Sequence, residues 1–144
     1  MQFYFQIKKK TLEAGYMILP IQDNEYVITD AYGKRDPVII GNKTSKDFHS
    51  GTDFAAKKGT PVRSTAKGNV IDTGYSEIYG NYIEIRHTET TTTFYAHLDS
   101  VNIKVGNSVK GGQIIGTVGS TGFSTGPHLH YEIKVNNIPI NPHF

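Results

Sequence analysis

Short apolar runs, broken by glycine and proline, recur along most of the chain. Runs with the character of strands are Pro61–Ser64, Gly68–Asp72, Tyr82–Arg86, Thr92–Ala96, Gln113–Gly116 and His130–Val135. Several of them alternate apolar and polar residues with a period of two, as a half-buried strand does. The 15 glycines and 6 prolines leave little room for long helices between these runs. The pattern predicts an all-β domain.

The first 20 residues differ in pattern from the rest of the chain. Phe3, Phe5 and Ile7 alternate with less apolar neighbours, which favours an extended segment. A chain of 144 residues is close to the commonest size of a single domain. We therefore expect a small N-terminal extension over residues 1–19 and one domain over residues 20–144.

Charge and composition exclude several classes of protein. The 15 basic residues barely outnumber the 13 acidic ones, which is too small an excess for a nucleic-acid binder. No apolar run approaches the roughly 20 residues of a membrane-spanning helix. The N-terminal stretch has three lysines after its apolar part and no small-residue cleavage site, so it does not predict a secretory signal peptide. Because the chain has no cysteine, disulfides, thiolate catalysis and thiolate metal ligands are excluded.

The first candidate for chemistry is the segment His49-Ser50-Gly51-Thr52-Asp53. Serine, glycine and threonine disfavour a helix here. In an extended segment His49, Gly51 and Asp53 point to one side, and Gly51 leaves space between the other two. An imidazole nitrogen and a carboxylate oxygen could then bind the same Zn²⁺ ion. Alone, this spacing is weak evidence, and a surface histidine followed by a turn-forming aspartate is the default interpretation.

The second candidate is the pair His128 and His130, at the start of a predicted strand. Residues two apart on a strand share a face, so the two imidazoles lie side by side while Leu129 points to the core. Such a pair can provide two metal ligands, or one ligand and one base. The glycine-rich run before it, Gly116–Pro127, lacks the Gly-Lys-Ser/Thr end of a phosphate-binding loop, and we interpret it as a tight loop at the rim of a site.

Together these residues have the composition of a catalytic zinc site. Such sites use three protein ligands and keep one position for water. His49, Asp53 and one histidine of the 128/130 pair would supply three ligands, and His97 and the second histidine of the pair would remain for proton transfer. Alone, His97 is better interpreted as a hydrogen-bonded residue at a strand end.

These motifs resemble the M23 metallopeptidases, the lysostaphin-like or LytM-type peptidoglycan endopeptidases. The resemblance extends from about Pro20 to Phe144. The matching motifs, in order, are Ile28–Gly33, His49–Ala56, Gly59–Val62, Tyr95–Leu98, Val109–Gly116, Gly119–Gly122 and Ser124–Glu132.

The resemblance implies a fold and a role for each site residue. The family fold consists of antiparallel sheets of the duplicated hybrid motif, or barrel-sandwich hybrid, with the site in a groove. By analogy His49, Asp53 and His130 hold one Zn²⁺ ion. His128 acts as general base toward the zinc-bound water that attacks the carbonyl, and His97 orients the water or stabilises the intermediate.

The resemblance also implies a substrate and a place of action. We expect an endopeptidase that cuts stem peptides or cross-bridges of bacterial peptidoglycan at the cell wall. We also expect it to be a monomer that binds no nucleic acid and has no transmembrane segment. Tyr32, Tyr75, Tyr79 and Tyr131 are candidate groove aromatics, although packing in the core or rim is the favoured interpretation.

Two alternative functions remain open at this point. A non-catalytic relative that binds a partner would lack metal ligands, whereas this chain retains all of them. A carrier or phosphotransfer domain of the same hybrid fold would need a histidine, but it explains neither Asp53 nor the pair of histidines.

Overall fold

The computed structural model describes residues 17–22, 24–34, 36, 39–44 and 48–142. All regular secondary structure in these residues is β-strand. The strands are β1 (Val27–Asp30), β2 (Gly33–Lys34), β3 (Ile39–Ile40), β4 (Lys43–Thr44), β5 (Phe48–His49), β6 (Thr52–Ala55), β7 (Pro61–Arg63), β8 (Gly68–Ser76), β9 (Gly80–Arg86), β10 (Thr91–Val101), β11 (Ser108–Val109), β12 (Ile114–Val118), β13 (His128–Val135) and β14 (Ile138–Ile140).

Ten of these strands form one antiparallel sheet. Its main order is β1-β6-β13-β10-β9-β8-β11, while β12 pairs with β10 and β7, and β14 pairs with β13. Two small two-stranded sheets, β2 with β5 and β3 with β4, lie outside it. The centre of the large sheet is β13 and β10, which pair from Thr91 opposite Val135 to Ala96 opposite His130. The two central strands therefore carry most of the site described below.

The two faces of the central strands have opposite environments. Leu129, Tyr131 and Ile133 of β13 are buried in the hydrophobic core. The residues that alternate with them project from the other face, as the geometry of a strand requires: His128, His130 and Glu132. One face of the sheet thus supplies the core and the other supplies the candidate site.

The core is completed by the segment that precedes β1. Met17 and Ile21 are fully buried in the main apolar cluster. The backbone of Ile18 donates to the Thr65 carbonyl, and that of Arg63 donates to the Pro20 carbonyl. Residues 17–21 therefore pack against the loop after β7 and close one side of the core.

Buried tyrosines bring a chain of hydroxyl groups into this core. The Tyr95 hydroxyl lies 2.7 Å from Thr93 Oγ1, and the Tyr131 hydroxyl lies 2.9 Å from Thr65 Oγ1. The backbone N–H of Thr65 donates to the Tyr95 hydroxyl. Because each hydroxyl finds a partner, the two phenols are buried without leaving an unsatisfied polar group.

The predicted all-β fold with antiparallel sheets is confirmed. Each predicted strand is present, and several are longer than predicted, since β8 extends to Ser76 and β10 to Val101. The extension predicted over residues 1–19 lies mostly outside the described residues, and its boundary stays a prediction. No stretch of the described chain forms a helix that is long and apolar enough to cross a membrane.

Candidate metal centre

Three side chains from three strands bring their ligand atoms together. His49 ends β5, Asp53 lies in β6 and His130 lies in β13, directly opposite Asp53 in the register of the two strands. His49 Nε2 lies 3.1 Å from His130 Nδ1 and 3.2 Å from Asp53 Oδ1. His130 Nδ1 lies 3.0 Å from Asp53 Oδ1. The three residues form a cluster that could hold one metal ion.

The second ring nitrogen of His49 is held by the backbone. His49 Nδ1 lies 3.0 Å from the carbonyl oxygen of Ala31, and Asp30 Oδ1 lies 3.6 Å from the same nitrogen. A carbonyl only accepts hydrogen bonds, so Nδ1 carries the proton. In the neutral ring, Nε2 then presents its lone pair to Asp53 and His130.

The second ring nitrogen of His130 is held by a carboxylate. His130 Nε2 lies 2.7 Å from Glu132 Oε2, which also accepts a hydrogen bond of 2.8 Å from the Ser50 hydroxyl. Burial alone would lower the pKa of His130, but the hydrogen bonds to Asp53 and Glu132 outweigh it and raise the pKa to about 9. The pocket therefore favours positive charge at the point where the ligand atoms meet.

The carboxylate of Asp53 shows the same preference for a cation. Burial works to raise its pKa, but the contacts with the imidazoles of His130 and His49 hold the pKa well below its usual range. Ligands about 2.0–2.1 Å from a tetrahedral zinc ion lie about 3.4 Å from one another. The separations of 3.0–3.2 Å among the three atoms are close to this value. Both the chemistry and the spacing of these atoms fit zinc.

Gly51 is the close-packing point between these strands. A Cβ atom at this position would lie 2.4 Å from the Tyr131 carbonyl oxygen and 2.9 Å from His130 Cε1. Its lack of a side chain therefore lets the turn between β5 and β6 approach β13. The space that we expected Gly51 to leave between His49 and Asp53 is filled by β13, and these two residues lie on two strands separated by the turn and not on one continuous strand.

His128 lies beside the cluster with one nitrogen directed at it. Its Nδ1 lies 2.8 Å from the Gly126 carbonyl and 3.2 Å from Ser124 Oγ. Its Nε2 lies 3.8 Å from Asp53 Oδ2. Since the carbonyl fixes the proton on Nδ1, Nε2 is left as the proton acceptor that faces the site.

His97 reaches the site because β10 bulges at this residue. Strand alternation would place its side chain on the core face with Tyr95. Instead His97 has a φ of +63°, and the pairing with β9 shifts between Tyr95 and Leu98. A left-handed residue in a bulge redirects a side chain in this way. The ring of His97 consequently lies 4.6 Å from that of His128, measured between centroids.

The glycine-rich loop after β12 orients His97 as well as His128. His97 Nδ1 lies 2.6 Å from the carbonyl oxygen of Thr121. The loop can approach β9 this closely because Gly122, with a φ of +75°, packs directly on Gly80, with a φ of +62°. Burial lowers the pKa of His97 to about 4. It is therefore neutral at neutral pH, with the lone pair of Nε2 available.

The candidate groove aromatics have different environments. Tyr79 is half-buried, with its ring centroid 5.0 Å from that of Phe94 and 5.8 Å from that of His130. Tyr75 is 64% exposed, and Tyr32 packs edge-on against Phe48. Tyr131 lies in the core on the far side of the sheet, which agrees with the favoured interpretation of core packing and excludes it from the groove.

The structure brings together all five predicted site residues and adds some that the sequence analysis missed. Glu132, Ser50 and the carbonyls of Thr121 and Gly126 fix the imidazoles but were assigned no role. For Glu132 a signal existed, because it follows His130 by two residues and therefore shares its face of the strand. For the two carbonyls no signal existed, since a backbone contact leaves no trace in residue type.

Comparison with known families agrees with this geometry. Peptidase family M23 matches residues 47–142, which is more than half of the chain and includes every residue of the site. The chain belongs to this family. The resemblance found in the sequence motifs is thereby confirmed.

Two relatives resemble this chain in sequence, one over 95 residues and the other over 132 residues. The chain is 52% identical over 95 residues to the DD-carboxypeptidase/endopeptidase Mpg of Neisseria meningitidis serogroup B, which covers 66% of this chain and 22% of Mpg. It is 39% identical over 132 residues to the peptidoglycan DD-endopeptidase ShyB of Vibrio cholerae, which covers 91% of this chain and 30% of ShyB. The chain thus spans less than a third of the length of either relative.

A solved structure with the same fold contains the metal that the site fits. The crystal structure of a zinc-containing peptidase from Vibrio cholerae superposes with a TM-score of 0.77 at 38% identity. The superposition covers 87% of this chain and 38% of that peptidase.

Proposed function

We propose that this domain is a zinc-dependent endopeptidase that hydrolyses peptide bonds in bacterial peptidoglycan. The observation that carries the proposal is the meeting of His49 Nε2, Asp53 Oδ1 and His130 Nδ1 within 3.0–3.2 Å of one another. Membership of a peptidase family and two further imidazoles, those of His97 and His128, beside the cluster support it.

His49, Asp53 and His130 hold the zinc ion in this proposal. When bound, zinc supplies Lewis-acid polarisation of a carbonyl oxygen and makes water more acidic. The chain's own contribution is to place the ligand atoms in advance, through the Ala31 carbonyl for His49 and the pairing of β6 with β13 for Asp53 and His130. Preorganised ligands favour binding because less ordering remains to be done.

His128 acts as the general base. Its Nε2 faces the carboxylate of Asp53, and because Nδ1 donates to the Gly126 carbonyl, Nε2 carries the lone pair of the neutral ring. As the water oxygen bonds to the carbonyl carbon, the water proton moves to His128 Nε2. When the C–N bond breaks, that proton is available to the departing amine nitrogen.

His97 orients the water as a hydrogen-bond acceptor. With Nδ1 bonded to the Thr121 carbonyl and the ring neutral, Nε2 accepts a hydrogen bond from the water. After the attack, the same atom accepts a hydrogen bond from the hydroxyl group that the water leaves on the tetrahedral intermediate, and this contact stabilises the intermediate. His97 therefore keeps one protonation state in both stages of the reaction.

We further propose that the bond cut is a cross-link between D-configured residues. The names of Mpg and ShyB both describe DD-endopeptidases, and this chain is 52% and 39% identical to them over the matched regions. A peptidoglycan substrate in turn supports action at the cell wall. The monomeric state stays a prediction.

The test combines metal content with product analysis. The purified chain should hold one zinc ion per molecule and release peptides from purified peptidoglycan, and mass spectrometry of cross-linked muropeptides identifies the bond. Cleavage of DD-cross-linked dimers, with oligoglycine-bridged material left intact, is the expected result. A zinc-free, inactive protein would instead favour the non-catalytic binding module, and cleavage of oligoglycine alone would contradict the substrate assignment.

A further inference from the structure

Glu132 is a buried carboxylate to which the steps above assign no chemistry. It is only 3% exposed and lies on β13, two residues after His130 and on the same face of the strand. Its Oε2 atom accepts two hydrogen bonds, from His130 Nε2 and from the Ser50 hydroxyl. Burial of a charged group is unfavourable unless partners compensate it. A residue of this kind at this position therefore needs an explanation.

We propose that Glu132 is a positioning residue of the metal centre with two effects. It holds His130 in the tautomer that turns Nδ1 toward His49 and Asp53, and it supplies the second negative charge that balances a divalent cation. The proposal rests on the proposed function, since both effects concern the bound metal.

The tautomer follows from the hydrogen bond at 2.7 Å. An ionised carboxylate only accepts, so His130 Nε2 must carry a proton in this contact. In the neutral ring, Nδ1 is then unprotonated, and its lone pair faces His49 Nε2 and Asp53 Oδ1. Carboxylate–histidine pairs of this kind orient metal-binding imidazoles in proteins.

The charge balance follows from the buried groups around the cluster. With His49 and His130 neutral as ligands, the carboxylates of Asp53 and Glu132 carry one negative charge each. A divalent cation matches their sum. Asp30 Oδ1 also lies 3.6 Å from His49 Nδ1, but its side chain is 26% exposed and screened by water, so Asp53 without Glu132 would leave one positive charge without a buried counter-charge. Lys134 does not neutralise Glu132 through a direct ion pair. Its Nζ lies 3.7 Å from Glu84 Oε1 and 4.7 Å from the centre of the Phe94 ring.

The carboxylate of Glu132 is itself held by a second partner besides His130. The Ser50 hydroxyl donates to the same Oε2 atom at 2.8 Å. A Cβ atom at position 51 would lie 2.8 Å from Glu132 Cγ, so the turn packs directly on the glutamate side chain. Glu132 is thus fixed by the same turn that links the strands of His49 and Asp53.

The experiment measures zinc affinity by competition with a chelating dye in four proteins. These are the unaltered chain, Glu132→Gln, Glu132→Leu and the control Glu84→Gln. Glu84 is a second carboxylate on the same face of the sheet, bonded to Thr92 and Lys134 and without contact to the cluster. Loss of an outer partner of a ligating histidine typically weakens metal binding about 10- to 100-fold.

The expected result is a graded loss. Glutamine keeps an acceptor but removes the charge, so Glu132→Gln should bind zinc about 10-fold more weakly, and Glu132→Leu, which removes both, about 100-fold more weakly. Glu84→Gln should bind as the unaltered chain does. At saturating zinc, Glu132→Gln should regain the turnover number of the unaltered chain, which would show that the effect acts through the metal.

Three results would overturn one claim or the other. If both Glu132 variants fold and bind zinc within twofold of the unaltered chain, the inference is wrong and the proposed function stands. If the variants lose thermal stability in chelator but their folded fraction keeps full zinc affinity, Glu132 is a structural residue and the inference is again wrong. If the unaltered chain binds no zinc, the proposed function fails, and the inference fails with it. Glu132→Gln keeps the test open if Glu132→Leu does not fold.

Discussion

The rings of His97 and His128 lie 4.6 Å apart between centroids, and carbonyl groups of a single loop hold both. Thr121 accepts from His97 Nδ1 and Gly126 accepts from His128 Nδ1. Each ring therefore directs an Nε2 lone pair into the site. Two imidazolium ions this close would repel each other, and the charge of His128 indeed contributes to the low pKa of His97. One proton at a time is the stable arrangement for this pair.

The first prediction separates metal binding from proton transfer. His130→Ala removes one of three ligand atoms and should abolish both zinc binding and hydrolysis. His128→Ala leaves the three ligand atoms in place, so it should keep zinc while turnover falls about 10²- to 10⁴-fold, the usual contribution of a general base. Zinc content and peptide release, measured on the same preparations, check both statements. Full turnover by His128→Ala would contradict the assignment of the base.

The second prediction concerns His97 and its left-handed backbone. Asparagine tolerates positive φ better than most residues, so His97→Asn should keep the bulge, the fold and the zinc. It removes the imidazole, and turnover should fall about 100-fold or more. His87→Gln is the matched control, because His87 contacts Lys67 and Thr93 away from the site. This variant should have the activity of the unaltered chain. Equal activities of the two variants would show that His97 has no part in the reaction.

The third prediction tests the close approach of the turn at Gly51 to β13. In Gly51→Ala the new methyl group would lie 2.4 Å from the Tyr131 carbonyl oxygen. A backbone atom of a paired strand cannot move away without disturbing the sheet. The turn must shift, which displaces His49 and Asp53 relative to His130 and weakens zinc binding. In the control Gly126→Ala no atom lies within 4 Å of the new Cβ. Zinc affinity and thermal unfolding of the two variants should therefore differ clearly, and equal values would contradict the packing argument.

The fourth prediction concerns stability and pH through His87. Burial lowers its pKa below the ordinary value of 6.5, although the hydrogen bond to Lys67 opposes the shift. As pH falls below about 6.5, the unfolded chain then binds more protons at this residue than the folded chain does. The free energy of unfolding should therefore fall as the medium becomes more acidic than this value and level off above it.

The measurement compares denaturant unfolding of the unaltered chain and His87→Gln at about pH 5 and about pH 8, in chelator. Contributions of His97 and His130 are common to both proteins and cancel in the difference. The unaltered chain should gain more stability between the two pH values than the variant. If both proteins gain the same amount, His87 is not a titrating group of the folded chain in this range.

Much of the site was predictable from period-two alternation. The spacing of His128, Leu129 and His130 correctly predicted two histidines on one face and a leucine in the core. The same alternation places Glu132 on the face of His128 and His130, although the sequence analysis gave this residue no role. Local periodicity works here because β13 is a regular central strand with neighbours on both sides.

The remainder could not be predicted from local pattern. Alternation would place His97 with Tyr95 in the core, and only the bulge with φ of +63° turns it to the site. Nothing in the sequence near Asp53 shows that β6 pairs with β13 and brings Asp53 opposite His130. Long-range pairing is decided by the packing of the whole sheet, so the family motifs, and not the spacing, supplied the ligand set.

The loop that holds His97 and His128 does so mainly through its main chain. Carbonyl groups persist whichever side chain a residue bears, so positions such as Phe123 and exposed Thr125 can be exchanged while both imidazoles stay in place. The positions of the ring protons are consequently set by the path of the loop backbone and not by the side chains at 123 and 125. Sequence drift at these two positions therefore leaves the arrangement of both rings intact, whereas a deletion that shortens the loop would displace both at once.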